Sequence, residues 1–222
     1  MYINYIIILI LGCIDFFIHY KFVTNSSVTY TTKQKSFILS IKASLTLFLV
    51  GIYFNYFYIK SGCDEKLFLQ LLDSQNNLNF GILIILYFTS YLLIDMLVGY
   101  YEYPEEMKSL SGNFHHKCYT IINMLSLYFG MYPIYLLHLL SEFPTFVRGI
   151  GSFDNKYRSN NLFGISFFVT RIVYHIYLTY SFKHHSLLFY CSITALSLHI
   201  YWFYGWWNKY GKKTIKKSKL LT

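Results

Sequence analysis

The stretch Cys118–Val147, CYTIINMLSLYFGMYPIYLLHLLSEFPTFV, decides how this chain folds. It is about 30 residues of nearly unbroken apolar character, whereas a bilayer core of about 30 Å needs only about 20 helical residues. Gly130 and Pro133 stand near its middle. A proline removes a backbone donor and clashes with the preceding turn, so the stretch reads as two short helices turning at Gly130–Pro133. Each half then holds about 13–14 residues, roughly 20 Å of helix, and the pair needs a thinned or protein-lined region. One long helix is the alternative.

Outward from this stretch, Ile3–Tyr20, Ile38–Ile59, Phe80–Tyr100, Leu162–Tyr180 and Leu187–Trp207 each approach a membrane-spanning length. Charge separates the two readings of the middle. With a hairpin there are seven spans, and the segments on the C-terminal side hold fourteen Lys and Arg against three. With a single helix there are six spans, and the division falls to eleven against six. The positive-inside rule therefore favours seven spans, an outside or lumenal N-terminus and a cytosolic C-terminus.

Composition agrees. Of 222 residues, 55% are apolar, 22% aromatic and 13% charged, about half the charge that coats a soluble domain. Disorder is excluded by the apolar content, and a disulfide scaffold by four cysteines in such a length. The net charge of +9 suggests nucleic acid until the charges are located between and after the apolar runs; no nucleic-acid partner is expected. The first span, with Asp15 and no basic n-region or small-residue cleavage site, does not read as a cleavable signal. The sequon Asn25-Ser26-Ser27 falls on the cytosolic side in this topology and is expected to carry no glycan. The cluster Lys209–Lys219 reads as a topology anchor that also meets anionic lipid.

Ionisable groups inside spans are expensive and point to function. Asp95 lies near the cytosolic end of the third span, and His115 and His116 open the fourth from that side. Glu142 lies near the cytosolic end of the fifth, with His138 one turn deeper. Arg171 is mid-span in the sixth, His175 is one turn beyond it, and His199 lies past the middle of the seventh. Asp95, His115, His116 and Glu142 thus converge on the cytosolic third, with Arg171 behind them. Two histidines and a carboxylate suit general acid–base work, and an arginine suits an anionic group. The plainer reading pairs Asp95 with Arg171 structurally. Adjacent helical histidines diverge by about 100°, so no metal site is expected at His115-His116. His184-His185 reads as a solvated turn.

The order of these residues resembles a known family. Ser90-Tyr91-Leu-Leu-Ile-Asp95 ends a span, His115-His116 opens the next, and Ser141-Glu142-Phe-Pro-Thr145 follows. Phe167-Phe168-Val-Thr170-Arg171-Ile172 and Leu196-Ser-Leu-His-Ile-Tyr-Trp202-Phe203 complete the series. Together they are similar to the TLC-domain family, which contains the ceramide synthases and the translocating-chain-associated membrane proteins. The resemblance runs from about Lys35 to Lys212. It implies an all-α fold of about seven transmembrane helices, six of them forming a barrel around a cavity. The chain then divides into an N-terminal span and loop (1–34), a TLC domain (35–212) and a basic tail (213–222).

Ceramide synthases follow the histidine pair with His-Asp-x-x-Asp. Here Glu142 takes the first aspartate position after a one-residue shift, and Thr145 the second. That departure resembles the non-synthase branch, the TLC-domain-containing proteins linked to membrane lipid composition. The resemblance implies a protein that binds or regulates membrane lipids, with Asp95, His138, Arg171, His175 and His199 as polar cavity residues. The enzymatic alternative is a lipid acyltransferase in which His115, His116 and Glu142 are catalytic and acyl-coenzyme A is co-substrate. A cargo or translocation accessory is a third reading. No resident cofactor is expected, protein partners are unspecified, and the expected location is the endoplasmic reticulum or another endomembrane.

Overall fold

Gly130 is where the apolar stretch turns back. In the computed structural model, which describes residues 2–24, 29–108 and 113–212, its φ is +67°, a conformation that glycine adopts without steric penalty. The preceding helix ends there in a Schellman arrangement: Met131 N donates to Ser126 O at 2.8 Å and Gly130 N to Leu127 O at 3.2 Å. Pro133 then falls in the first turn of the next helix, where its missing donor costs nothing. The hairpin read from the sequence is present.

The described residues form helices and no strand. They are α1 (Tyr2–Thr24), α2 (Thr32–Lys60), α3 (Glu65–Ser74), α4 (Asn77–Glu102), α5 (Pro104–Met107), α6 (His115–Tyr128), α7 (Tyr132–Leu137), α8 (Phe143–Phe153), α9 (Asn160–Phe167), α10 (Tyr174–Ser181) and α11 (Ser186–Trp206). A 3₁₀ segment, His138–Glu142, joins α7 to α8. A π segment, Phe168–Val173, joins α9 to α10, and another, Trp207–Gly211, extends α11. Five of the helical runs are long and apolar enough to cross a membrane: Ile6–Val23, Thr32–Lys60, Asn77–Glu102, Asn160–Ser181 and Ser186–Gly211. Asn25 and the tail 213–222 lie outside the described residues.

The second arm of the hairpin differs from the expected 13–14 residues. It runs on from Tyr132 to Phe153, because hydropathy fades at Val147 while the helix does not. Pro144 does not end it either. It sits in the first turn of α8, after the 3₁₀ segment has tightened the column and Phe143 N has bonded Leu140 O.

Packing closes these helices into a ring. α2 packs between α4 and α8, α8 packs on α9, α9 and α10 pack on α11, and α4 packs on α6. The circuit is completed where α6 meets α11, through His115 against Trp202 and Tyr119 against His199. α2 starts with a capping box, in which Gln34 N donates to Thr31 Oγ1 and Thr31 N to Gln34 Oε1. Gln34 Nε2 also reaches Phe153 O at 2.8 Å, tying the start of α2 to the end of α8.

The core between these helices holds Leu47, Phe54, Ile85, Leu136, Leu137 and Leu178, all essentially inaccessible. The outward faces carry large apolar side chains such as Leu49, Tyr56, Ile121, Ile165 and Tyr190. α1 lies outside the ring against α4 and α2. Its Asp15 is buried and pairs with Lys42, its His19 lies 3.5 Å from Glu102, and Ile8 O accepts from Ser90 Oγ at 3.1 Å. These polar contacts join α1 to the flank of α4 and α2 at defined positions.

Candidate functional site

One end of the ring opens into a cavity of about 680 Å³, within the roughly 300–1,000 Å³ usual for small-ligand sites. Its wall is built from helix ends that alternate in direction. The starts of α2, α6 and α9 and the ends of α4, α8 and α11 all reach it. The hairpin at Gly130 makes this alternation possible, because it returns α8 to the end from which α6 began.

Two carboxylate pairs sit in the wall, one with an imidazole and one with a guanidinium. The buried Asp95 carboxylate places Oδ2 2.9 Å from His116 Nε2, and its Oδ1 accepts from Tyr103 Oη at 2.7 Å. Arg171, on the π segment, donates from Nε to Ser141 O at 2.7 Å and from Nη2 to Thr145 Oγ1 at 2.6 Å. Its Nη2 lies 3.8 Å from Glu142 Oε1, and its guanidinium rests 5.2 Å from the Phe167 ring centre. The expected Asp95–Arg171 pair is therefore absent. Both oxygens of Asp95 are engaged on the α4–α6 side, while the guanidinium is held by the 3₁₀ segment and the start of α8 across the ring.

The structure brings Asp95, His115, His116, Glu142 and Arg171 to one cavity. The His115 ring lies tilted against Tyr119 at 4.4 Å between centroids, and its buried Nδ1 has no hydrogen-bond partner. His138, His175 and His199 lie deeper and line a smaller void of about 50 Å³, whose wall shares Glu142 and Phe88 with the main cavity. Their rings follow one another, His138 to His175 at 5.1 Å and His175 to His199 at 5.2 Å. His175 Nε2 meets Ser192 Oγ at 2.8 Å, and His199 Nε2 meets Tyr119 Oη at 3.4 Å. Both nitrogens of His138 and Nδ1 of His199 are buried without a partner. Imidazole nitrogens facing a void of this size suit a bound water or a polar ligand atom.

Several cavity residues escape the sequence reading. Lys33, Arg148, Arg158 and Lys209 line the mouth, and they read from the sequence only as topology charges. Tyr103, 1% exposed, positions Asp95 from the short α5 region. The signal for the four cations was their common side in the expected seven-span topology; the signal for Tyr103 was its spacing of eight residues from Asp95. Trp202 and Trp206 also line the cavity.

At the opposite end of the bundle, the expected solvated turn His184-His185 is engaged as well. His184 Nε2 lies 2.7 Å from Glu65 Oε2 and His185 Nε2 2.6 Å from Glu65 Oε1. Comparison of the chain with protein-family profiles, curated proteins and solved structures finds no match.

Proposed function

We propose that this chain is a multi-pass membrane protein of TLC type, with seven spans, that binds a polar lipid by its headgroup and so acts on membrane lipid composition. The observation that carries the reading is the charged cavity at one end of a ring whose outside is apolar. Lipid-facing Leu, Ile and Tyr side chains surround a chamber that holds Asp95–His116, Glu142–Arg171 and a mouth of Lys33, Arg148, Arg158 and Lys209. Buried ionisable groups within spans mark ligand pathways, and arginine matches the planar oxygens of carboxylate and phosphate.

In this reading α1, α2, α4, α6, the α7–α8 arm, α9–α10 and α11 each cross the membrane. The cavity faces the cytosol of an endomembrane and the N-terminus is lumenal. The residue at the second aspartate position of the resembling synthases is Thr145, which accepts from Arg171 instead of supplying charge. That supports binding over synthesis.

One observation favours a second reading, an acyl-coenzyme A-dependent acyltransferase. His116 is oriented by Asp95, and His115 beside it keeps a buried nitrogen unpartnered. A base oriented by a carboxylate is the arrangement that proton abstraction needs.

Lipidomics at matched membrane levels separates the two. For the binding reading, the wild type shifts broad acyl or headgroup composition. The His115→Ala/His116→Ala variant still shifts composition broadly, though less than the wild type because it alters the chamber wall, and Arg148→Glu/Arg158→Glu abolishes the shift. One acylated product class that rises with the wild type and not with the histidine variant establishes the acyltransferase. No shift with any form refutes both.

A further inference from the structure

We propose that Glu65, His184 and His185 form a binding site for a divalent transition-metal ion of the zinc class, at the end of the bundle away from the lipid cavity. Adjacent histidines diverge when they lie on a helix. These two lie in the turn between α10 and α11, and His185 has φ −88° and ψ 88°, far from helical values. Their rings sit 4.3 Å apart between centroids, and both Nε2 atoms converge on the two oxygens of one carboxylate. The three ligand atoms lie within 4.8 Å of one another. Ligands around a tetrahedral zinc, at about 2.0–2.2 Å from the metal, stand about 3.4 Å apart. A small opening of the two imidazole–carboxylate contacts therefore admits the ion.

The ligands are held by structure on both sides. Glu65 opens α3, whose start is fixed by Asp64 accepting from Leu67 N at 2.8 Å. α3 in turn buries Phe68 and Leu72 completely. Tyr58 lies against both Phe68 and Phe182, at 5.5 and 5.7 Å between centroids, and Phe182 is two residues from the first histidine. One aromatic thus braces the segments that carry all three ligands. Loop closure across the 119-position separation of Glu65 and His184 is already achieved by folding.

The donor set selects the metal. Two imidazoles and a carboxylate suit zinc and its first-row neighbours, whereas calcium and magnesium favour oxygen ligands. Three protein ligands leave a fourth position for water, and His184, whose side chain is 59% exposed, provides the entry path. Coordination needs deprotonated imidazole nitrogens, so binding releases protons and weakens in acid. The site shares no residue with the cavity, and its test is independent of the lipid reading.

The test uses the full chain purified in detergent with Cys63→Ser, which removes an exposed thiol from the neighbouring turn. Zinc binding is read by competition with a chromogenic chelator, and cobalt absorption reports coordination number. The expected result is one equivalent of zinc, a four-coordinate cobalt spectrum and a zinc-dependent rise in melting temperature. His184→Ala, His185→Ala and Glu65→Gln each weaken binding by at least about tenfold, since even outer-shell losses at metal sites cost that much. Absence of stoichiometric binding overturns the proposal, as does binding that survives these substitutions. The exposed His184→Ala keeps the test decisive if another variant misfolds.

Discussion

Asp95 and Arg171 are two buried charges within long apolar helices that a reader of the sequence would join, and each has found other company. Asp95 is satisfied by His116 and Tyr103, Arg171 by Ser141, Thr145 and Glu142. Side chains in separate networks respond to mutation independently, whereas partners couple by 0.5–3 kcal/mol on the order-of-magnitude scale of double-mutant cycles. Asp95→Asn and His116→Ala are therefore expected to be strongly non-additive in melting measurements of the detergent-solubilised protein. Asp95→Asn and Arg171→Leu should add to within about 0.5 kcal/mol. Equal coupling in both cycles would show that the two charges share one network after all. The single Arg171→Leu change is costly in its own right, because it strands the buried Glu142 carboxylate, a loss of about 3–5 kcal/mol for a broken buried pair.

Between elements, the closest approach of a glycine to another segment's backbone among the described residues is α2 on the 3₁₀ segment. A Cβ at Gly51 would stand 2.7 Å from Leu140 N and 2.8 Å from Leu139 C, both backbone atoms that cannot turn aside. Asn55, one turn on, donates to Gly51 O and Leu137 O and also meets the Tyr174 hydroxyl, stitching α2, the hairpin arm and α10 together. Gly51→Ala is expected to lower stability by about 1–3 kcal/mol, the usual cost of overpacking. Gly205→Ala, on α11 with open space at its Cβ, is the control and should be neutral or slightly stabilising. Comparable melting temperatures for the two would remove the close approach as a constraint.

This scale also marks what could be read in advance. Gly130 and Pro133 announced the hairpin because their backbone chemistry is local. The meeting of Asp95, His115, His116 and Glu142 followed from alternating span direction, which fixes height along the bundle. Rotation about the bundle axis has no such signal. Arg171 was therefore given the wrong partner, the four mouth cations were read only as charge, and the 119-residue link from Glu65 to His184 was invisible. The 3₁₀ segment was hidden for another reason: Pro144 reads as a break but starts a helix when the preceding turn has already tightened.

For the molecule as a whole, the hairpin places the turn at Cys63 and the connection at Tyr157 at opposite ends. Both residues are exposed. A membrane-impermeant maleimide is expected to label Cys63 from the lumenal or external face alone, in a background lacking Cys13, Cys118 and Cys191. A Tyr157→Cys variant of a cysteine-free chain should react only from the cytosolic face. Labelling of both from one side would refute the seven-span arrangement.

The ring's last helix carries a different consequence. α11 fully buries a single side chain, His199; its other positions are half-buried or exposed. Exposed apolar residues are interchangeable at little cost, so beyond length and hydrophobicity such a helix is specified by few letters: His199, Ser192 against His175, and the Trp202 and Trp206 of the cavity wall. Over generations its letters can be rewritten while its shape is kept. The specification of such a protein sits in a sparse alphabet of buried polar residues scattered over several helices.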